Sequence, residues 1–173
     1  MKAKRTVLEL SSLCALREAL EEIRKKIDLP TNDVERIARH WGVRIERVEK
    51  GKGGIPAPFY LSGTIHVPVD SWRYFSPSLC KEDQFCVGHE LAHFFCEKIT
   101  GEAFPSYGSR PNVSNASYLW FETYCEAFAI ILTGNREFAR VYNSSDMQLA
   151  GRAASARLNI AIAHIKDRRC RTK

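Results

Sequence analysis

Gly88-His89-Glu90-Leu91-Ala92-His93 is the stretch on which the reading of this chain turns. In a helix, His89 and His93 stand at i and i+4, so both imidazoles leave one face about one turn apart. Two imidazoles at that separation grip one metal ion, and Glu90 between them lies close enough to take a proton from a water on that metal. At average usage of His and Glu, the pattern arises by chance in about one chain of this length in a few hundred. That rarity favours a metal site over a solvated helix that merely carries two histidines.

The flanks point the same way. Glu82 and Asp83 place negative charge where a helix would begin, at the positive end of its dipole. Phe85, Cys86, Leu91, Ala92, Phe94, Phe95 and Cys96 make the remainder largely apolar, and a helix apolar nearly all round is a buried one. Two histidines and a glutamate inside it are costly unless partnered, and a metal ion partners all three. Gly88 costs a helix interior about 1 kcal/mol, which close approach of another backbone or tight packing would explain.

Catalytic zinc usually takes three protein ligands and a water. The other three histidines are His40 in an early helix, His66 in a strand and His164 in the last helix, and none has a motif around it. A carboxylate is the better third ligand. Residues 120–132 read as a second buried helix, stopped by Gly134. Glu122 and Glu126 are its only charges, and at i and i+4 they share a face. Like charges on one buried face call for a cation opposite. Glu122 is the proposed metal ligand. Glu126 would then accept a hydrogen bond from a ligand histidine and fix its tautomer; the reverse assignment of the two stays open. Cys125 shares that face and lies within approach of the metal, but is read as packing.

Together, Gly88-His89-Glu90-Leu91-Ala92-His93 and, about thirty residues on, Glu122-x-x-Cys125-x-x-Phe128-Ala129-x-x-Leu132 resemble the ImmA/IrrE family of metallopeptidases. The segment from Leu29-Pro30 to Trp41-Gly42-Val43 resembles the family's early helix, so the resemblance covers residues 29–165. Two positions depart from its pattern. Glu126 stands where the family usually has Asn, which leaves the role of position 126 open, and Thr133-Gly134 replaces a tail ending near Pro. The resemblance implies Glu122 as metal-binding residue and a zincin-like fold with a gluzincin-like ligand set. It also implies a protein substrate, typically a helix-turn-helix repressor encoded nearby, and roles in transcription regulation or stress response.

A chain of 173 residues with 45% hydrophobic and 27% charged residues has enough material for one buried core and is expected to form a single domain over residues 1–173. No apolar run reaches bilayer length, and no clean signal-peptide pattern appears, so the expected location is cytoplasmic. Six cysteines without a CxxC pair fit buried thiols in a reducing compartment. The net charge of +6 and the basic tail, residues 166–173, raise nucleic acid as a partner. Without interleaved aromatics or a DNA-reading motif, the tail reads as a solvated charge run.

Residues 1–28 read as an N-terminal amphipathic helix with its stripe at Leu13, Leu16, Leu20, Ile23 and Ile27. Asn32 and Glu35 suggest a capping-box start for a second helix ending near Gly42. Residues 43–48 read as a strand, 51–54 as a turn, and 59–67 as a hairpin around Ser62-Gly63. The hairpin is the candidate edge to hold extended substrate by strand addition. Residues 101–116 read as a loop and 147–167 as a C-terminal helix. The expected fold is α+β, mostly helical, with a small twisted sheet packed on the active-site helix. The expected site is zinc, or manganese, on His89, His93 and Glu122, with Glu90 as general base. Tyr118, Tyr124 and His164 are candidates for stabilising the oxyanion. The competing reading is a non-catalytic metal-binding regulator that acts by binding protein or DNA.

Overall fold

The computed structural model describes residues 2–27, 33–50, 58–70, 75–101, 115–139 and 147–167. Among these residues five helices and three strands follow one another as α1 (Lys2–Lys26), α2 (Val34–His40), β1 (Arg44–Glu49), β2 (Phe59–Leu61), β3 (Thr64–Val69), α3 (Lys81–Thr100), α4 (Asn115–Thr133) and α5 (Met147–Lys166), with a short 3-10 turn, Arg136–Phe138, after α4. The architecture is α+β and mostly helical, as expected. Among the described residues no helix is long and apolar enough to cross a membrane. The turn expected at residues 51–54, most of the loop at 101–116 and residues 168–173 of the basic tail lie outside the described residues.

The helix bearing the His pair runs through the middle of the molecule. α3 has Glu82 and Asp83 in its first turn and Lys98 in its last, both favourable to its dipole. Residues 87 to 92 are all buried. Its neighbours are α1, α2 and α4 together with strands β2 and β3. The stripe read on α1 is the face that covers α3 and α4: Leu13, Leu16, Leu20, Ile23 and Ile27 are all buried. Phe95 from α3 and Phe128 from α4 are fully buried, with ring centroids 6.0 Å apart, and Trp41 closes edge-on over Phe95 at 5.5 Å. Each such aromatic typically contributes several kcal/mol, about 3–5 by truncation to Ala.

The start of α2 differs from the sequence expectation. Asp33 is the N-cap, its carboxylate accepting from Arg36 N–H at 2.9 Å; Asp competes for that position on equal terms with Asn. The sheet has the order β1-β3-β2. β1 runs parallel to β3, and β2 antiparallel, with Leu61 opposite Thr64 and Tyr60 opposite Ile65. Ser62 (φ 48°) and Gly63 (φ 80°) join β2 to β3. Two consecutive positive φ values make the tight turn whose twist matches a hairpin. β3 is central, with Ile65, Val67 and Val69 fully buried, which leaves β2 as an outer strand beside α3.

Gly88 explains how closely α3 and α4 approach. A Cβ at that position would meet Ala129 Cα and Thr133 Cγ2 at 3.4 Å and Ala129 Cβ at 3.5 Å. That is contact distance for a methyl group and too close for anything longer. Gly88→Ala is therefore expected to keep or raise stability, since the helix interior gains about 1 kcal/mol. Gly88→Leu is expected to lose about 1–3 kcal/mol by overpacking. Urea unfolding of the two variants checks both; equal stability for Leu and Ala would contradict the close approach.

Candidate metal centre

α3 and α4 each turn one face into the seam between them. On α3, His89 and His93 lie one turn apart, with ring centroids 5.2 Å apart. On α4, Glu122, Cys125 and Glu126 fall at i, i+3 and i+4, the spacing that places three side chains on one helix face. All three are buried. The sequence-derived residues are therefore brought together by the fold, with the imidazoles on one wall and the acids on the other.

His89 Nε2 lies 3.1 Å from Glu122 Oε2, and His93 Nε2 lies 3.6 Å from Glu122 Oε1. The two Nε2 atoms face each other at 3.3 Å. Nitrogens bound 2.0–2.1 Å from a tetrahedral zinc ion sit about 3.3 Å apart, so the imidazoles already have the separation that one ion imposes. On the far side of the ring, His89 Nδ1 lies 3.2 Å from Glu126 Oε1. The alignment there falls short of a good hydrogen bond, but Glu126 is the carboxylate that Nδ1 faces, and hydrogen bonding to it favours the charged ring. The donor set fits a divalent ion, with Glu122 toward it and Glu126 behind His89.

Electrostatics agree with this arrangement. Burial opposes a charge on His89, but Glu122, then Glu126, and the charge of Glu90 outweigh it, so its pKa stands well above the usual 6.5. His93 moves the other way, to about 4, because burial and the charge of His89 outweigh the attraction of Glu122. Positive charge is therefore favoured on His89, where two carboxylates flank the ring, over His93. A cation at the Nε2 atoms meets the same demand for positive charge. Burial, with nearby carboxylates, raises the Cys125 thiol well above its ordinary range.

Glu90 is buried and held from the sheet side. The alternation of an antiparallel ladder turns Tyr60 N–H away from β3, and it donates to Glu90 Oε2 at 2.8 Å. The outer strand therefore touches the residue expected to act as base. Tyr60 itself packs edge-on against Phe94 of α3 at 5.8 Å.

One residue read as packing belongs to the cluster. His89, His93 and Cys125 offer ligand atoms that all lie within 4.8 Å of one another, a group able to hold a metal ion. The signal was its i+3 spacing from Glu122, the same geometry that singled out Glu126. The remaining histidines lie elsewhere: His40 against Trp41, His66 stacked on Phe59 at 4.6 Å, and His164 exposed on α5. Tyr124 is buried beside Trp120, and the side chain of Tyr118 lies outside the described residues.

No family model, no curated protein and no solved structure matches this chain. The likeness to the ImmA/IrrE family therefore rests on the motifs quoted above.

Glu126→Gln removes the charge behind His89 but keeps the shape. Metal affinity is expected to fall about ten- to a hundredfold without being abolished, as measured by competition with a chromogenic chelator. Complete loss in Glu126→Gln with full retention in Glu122→Gln would exchange the two roles.

Proposed function

We propose that this chain is a metal-dependent peptidase of the ImmA/IrrE type, cutting a specific protein partner, a helix-turn-helix repressor by that resemblance. The observation that carries the reading is the facing of His89 and His93 Nε2 atoms at 3.3 Å across from Glu122, with Glu90 buried beside them. A bound zinc or manganese ion would supply a Lewis acid that polarises a peptide carbonyl and makes a water more acidic. His89, His93 and Glu122 would hold it, and Glu126 would keep His89 in the tautomer that presents Nε2.

Glu90 takes the proton from the attacking water as the new carbon–oxygen bond forms, then delivers it to the leaving amine as the carbon–nitrogen bond breaks. The Tyr60 N–H holds that carboxylate in place. β2 would serve as the strand along which an extended substrate lies. Its exposed Leu61 and its position against α3 favour this, while Glu90 already claims the outward amide of Tyr60. Only a segment that is already extended, or locally unfolded, can be accepted there. Cytoplasmic location follows from the proposed repressor substrate.

A second reading has its own support. Cys125 adds a further donor to the cluster, and a metal with four protein ligands is the mark of a structural site. Such a protein would act on its partner by binding alone.

Glu90→Gln separates the two. The variant should bind metal and fold as the wild type does, while cleavage of the neighbouring helix-turn-helix repressor falls by about 10²–10⁴-fold. Fragment appearance on gels and repressor release from its operator are the measurements. Equal relief of repression by both proteins, with no fragment, would replace the peptidase with the binding protein.

A further inference from the structure

We propose that Cys125 is a fourth protein ligand to the metal, joining His89, His93 and Glu122 and closing the resting site against water. The inference deepens the peptidase reading, because it concerns how that same site is kept shut; the ligation itself stands on geometry alone.

Three observations converge on Cys125. Its sulfur lies within 4.8 Å of a ring nitrogen of both His89 and His93, in one group able to hold a metal ion. It sits on α4 three residues after Glu122, so sulfur and carboxylate leave the same face and the same turn. It is completely buried in the seam, so no other metal-binding solute competes for the sulfur from outside. The other described cysteines behave differently: Cys96, also buried, turns its thiol toward Ser12 O at 3.8 Å, and Cys14, Cys80 and Cys86 are part-exposed.

Ligation changes what the site can do. The thiol gives up its proton to solvent and its sulfur forms a bond to the metal; nothing is oxidised or reduced. A zinc ion held by His89, His93, Glu122 and Cys125 would have four protein ligands and no position left for water. Cys125 is the donor not required by the three-ligand arrangement of a hydrolytic site, so a peptidase built on this site would need its sulfur to leave before a water could bind. Soft sulfur also biases the site toward zinc and away from manganese, which prefers oxygen donors.

The test is the zinc-loaded full chain examined by X-ray absorption at the zinc edge, repeated on Cys125→Ser and Cys125→Ala, with His93→Ala as control. Wild type is expected to show one sulfur at about 2.3 Å together with imidazole nitrogens. Cys125→Ser should lose the sulfur while keeping the imidazole signal. Cobalt-loaded wild type should show a near-ultraviolet thiolate-to-metal band that both variants lack. Zinc affinity of Cys125→Ala should fall by at least about tenfold, the lower bound for losing even a supporting residue. The wild-type spectrum decides the matter even if a variant fails to fold. A shell of nitrogen and oxygen alone in wild type overturns the Cys125 assignment and leaves the peptidase reading in place. Sulfur that persists in Cys125→Ser overturns it as well. A wild-type chain that takes up neither zinc nor cobalt overturns both.

Discussion

Charge buried between two helices is the constraint on which the rest of this structure depends. α3 brings two imidazoles and α4 two carboxylates into a seam where none of them is accessible enough to rely on water. An isolated carboxylate there would be prohibitively costly. Each group is tolerable only because the others are opposite it, at 3.1 to 3.6 Å. Even so the compensation is incomplete, because two carboxylates flank one imidazole ring and the second imidazole is driven neutral. Two carboxylates beside two ring nitrogens that face each other at 3.3 Å form a site that could hold a cation.

The surrounding elements can be understood as what that seam requires. The helices must lie close, and Gly88 against Ala129 permits it. They must not slide, and Phe95, Phe128 and the buried stripe of α1 lock them from behind. The sheet contributes at the opposite end, where the Tyr60 N–H takes hold of Glu90. The hairpin turn at Ser62-Gly63 fixes the register of β2 and so determines which amide reaches Glu90.

Much of this was legible along the chain. The i, i+4 spacing of His89 and His93, and of Glu122 and Glu126, gives shared faces from helix geometry alone, and both helices appear where apolar content placed them. The α1 stripe, the hairpin and the stop at Gly134 were read from equally local rules: period, turn residues and the positive φ that glycine tolerates. Asp33 in place of Asn32 as the cap of α2 marks the limit of such rules, since adjacent residues with equivalent side chains are separated only by the path of the backbone.

Local spacing could not say how the faces meet. That α3 and α4 oppose each other, that Glu122 stands before the imidazoles and Glu126 behind one of them, and that Cys125 lies within 4.8 Å of a ring nitrogen of each histidine are consequences of the angle and separation of two helices some thirty residues apart in sequence. The hold of Tyr60 on Glu90 is likewise a contact between a strand and a helix that share no sequence pattern. The sequence by itself determined the chemistry available, because residue identity and helical period are local properties. Tertiary structure decided which groups share one point in space, because that depends on packing volume, on a methyl-sized gap at Gly88, and on the shape of everything behind it.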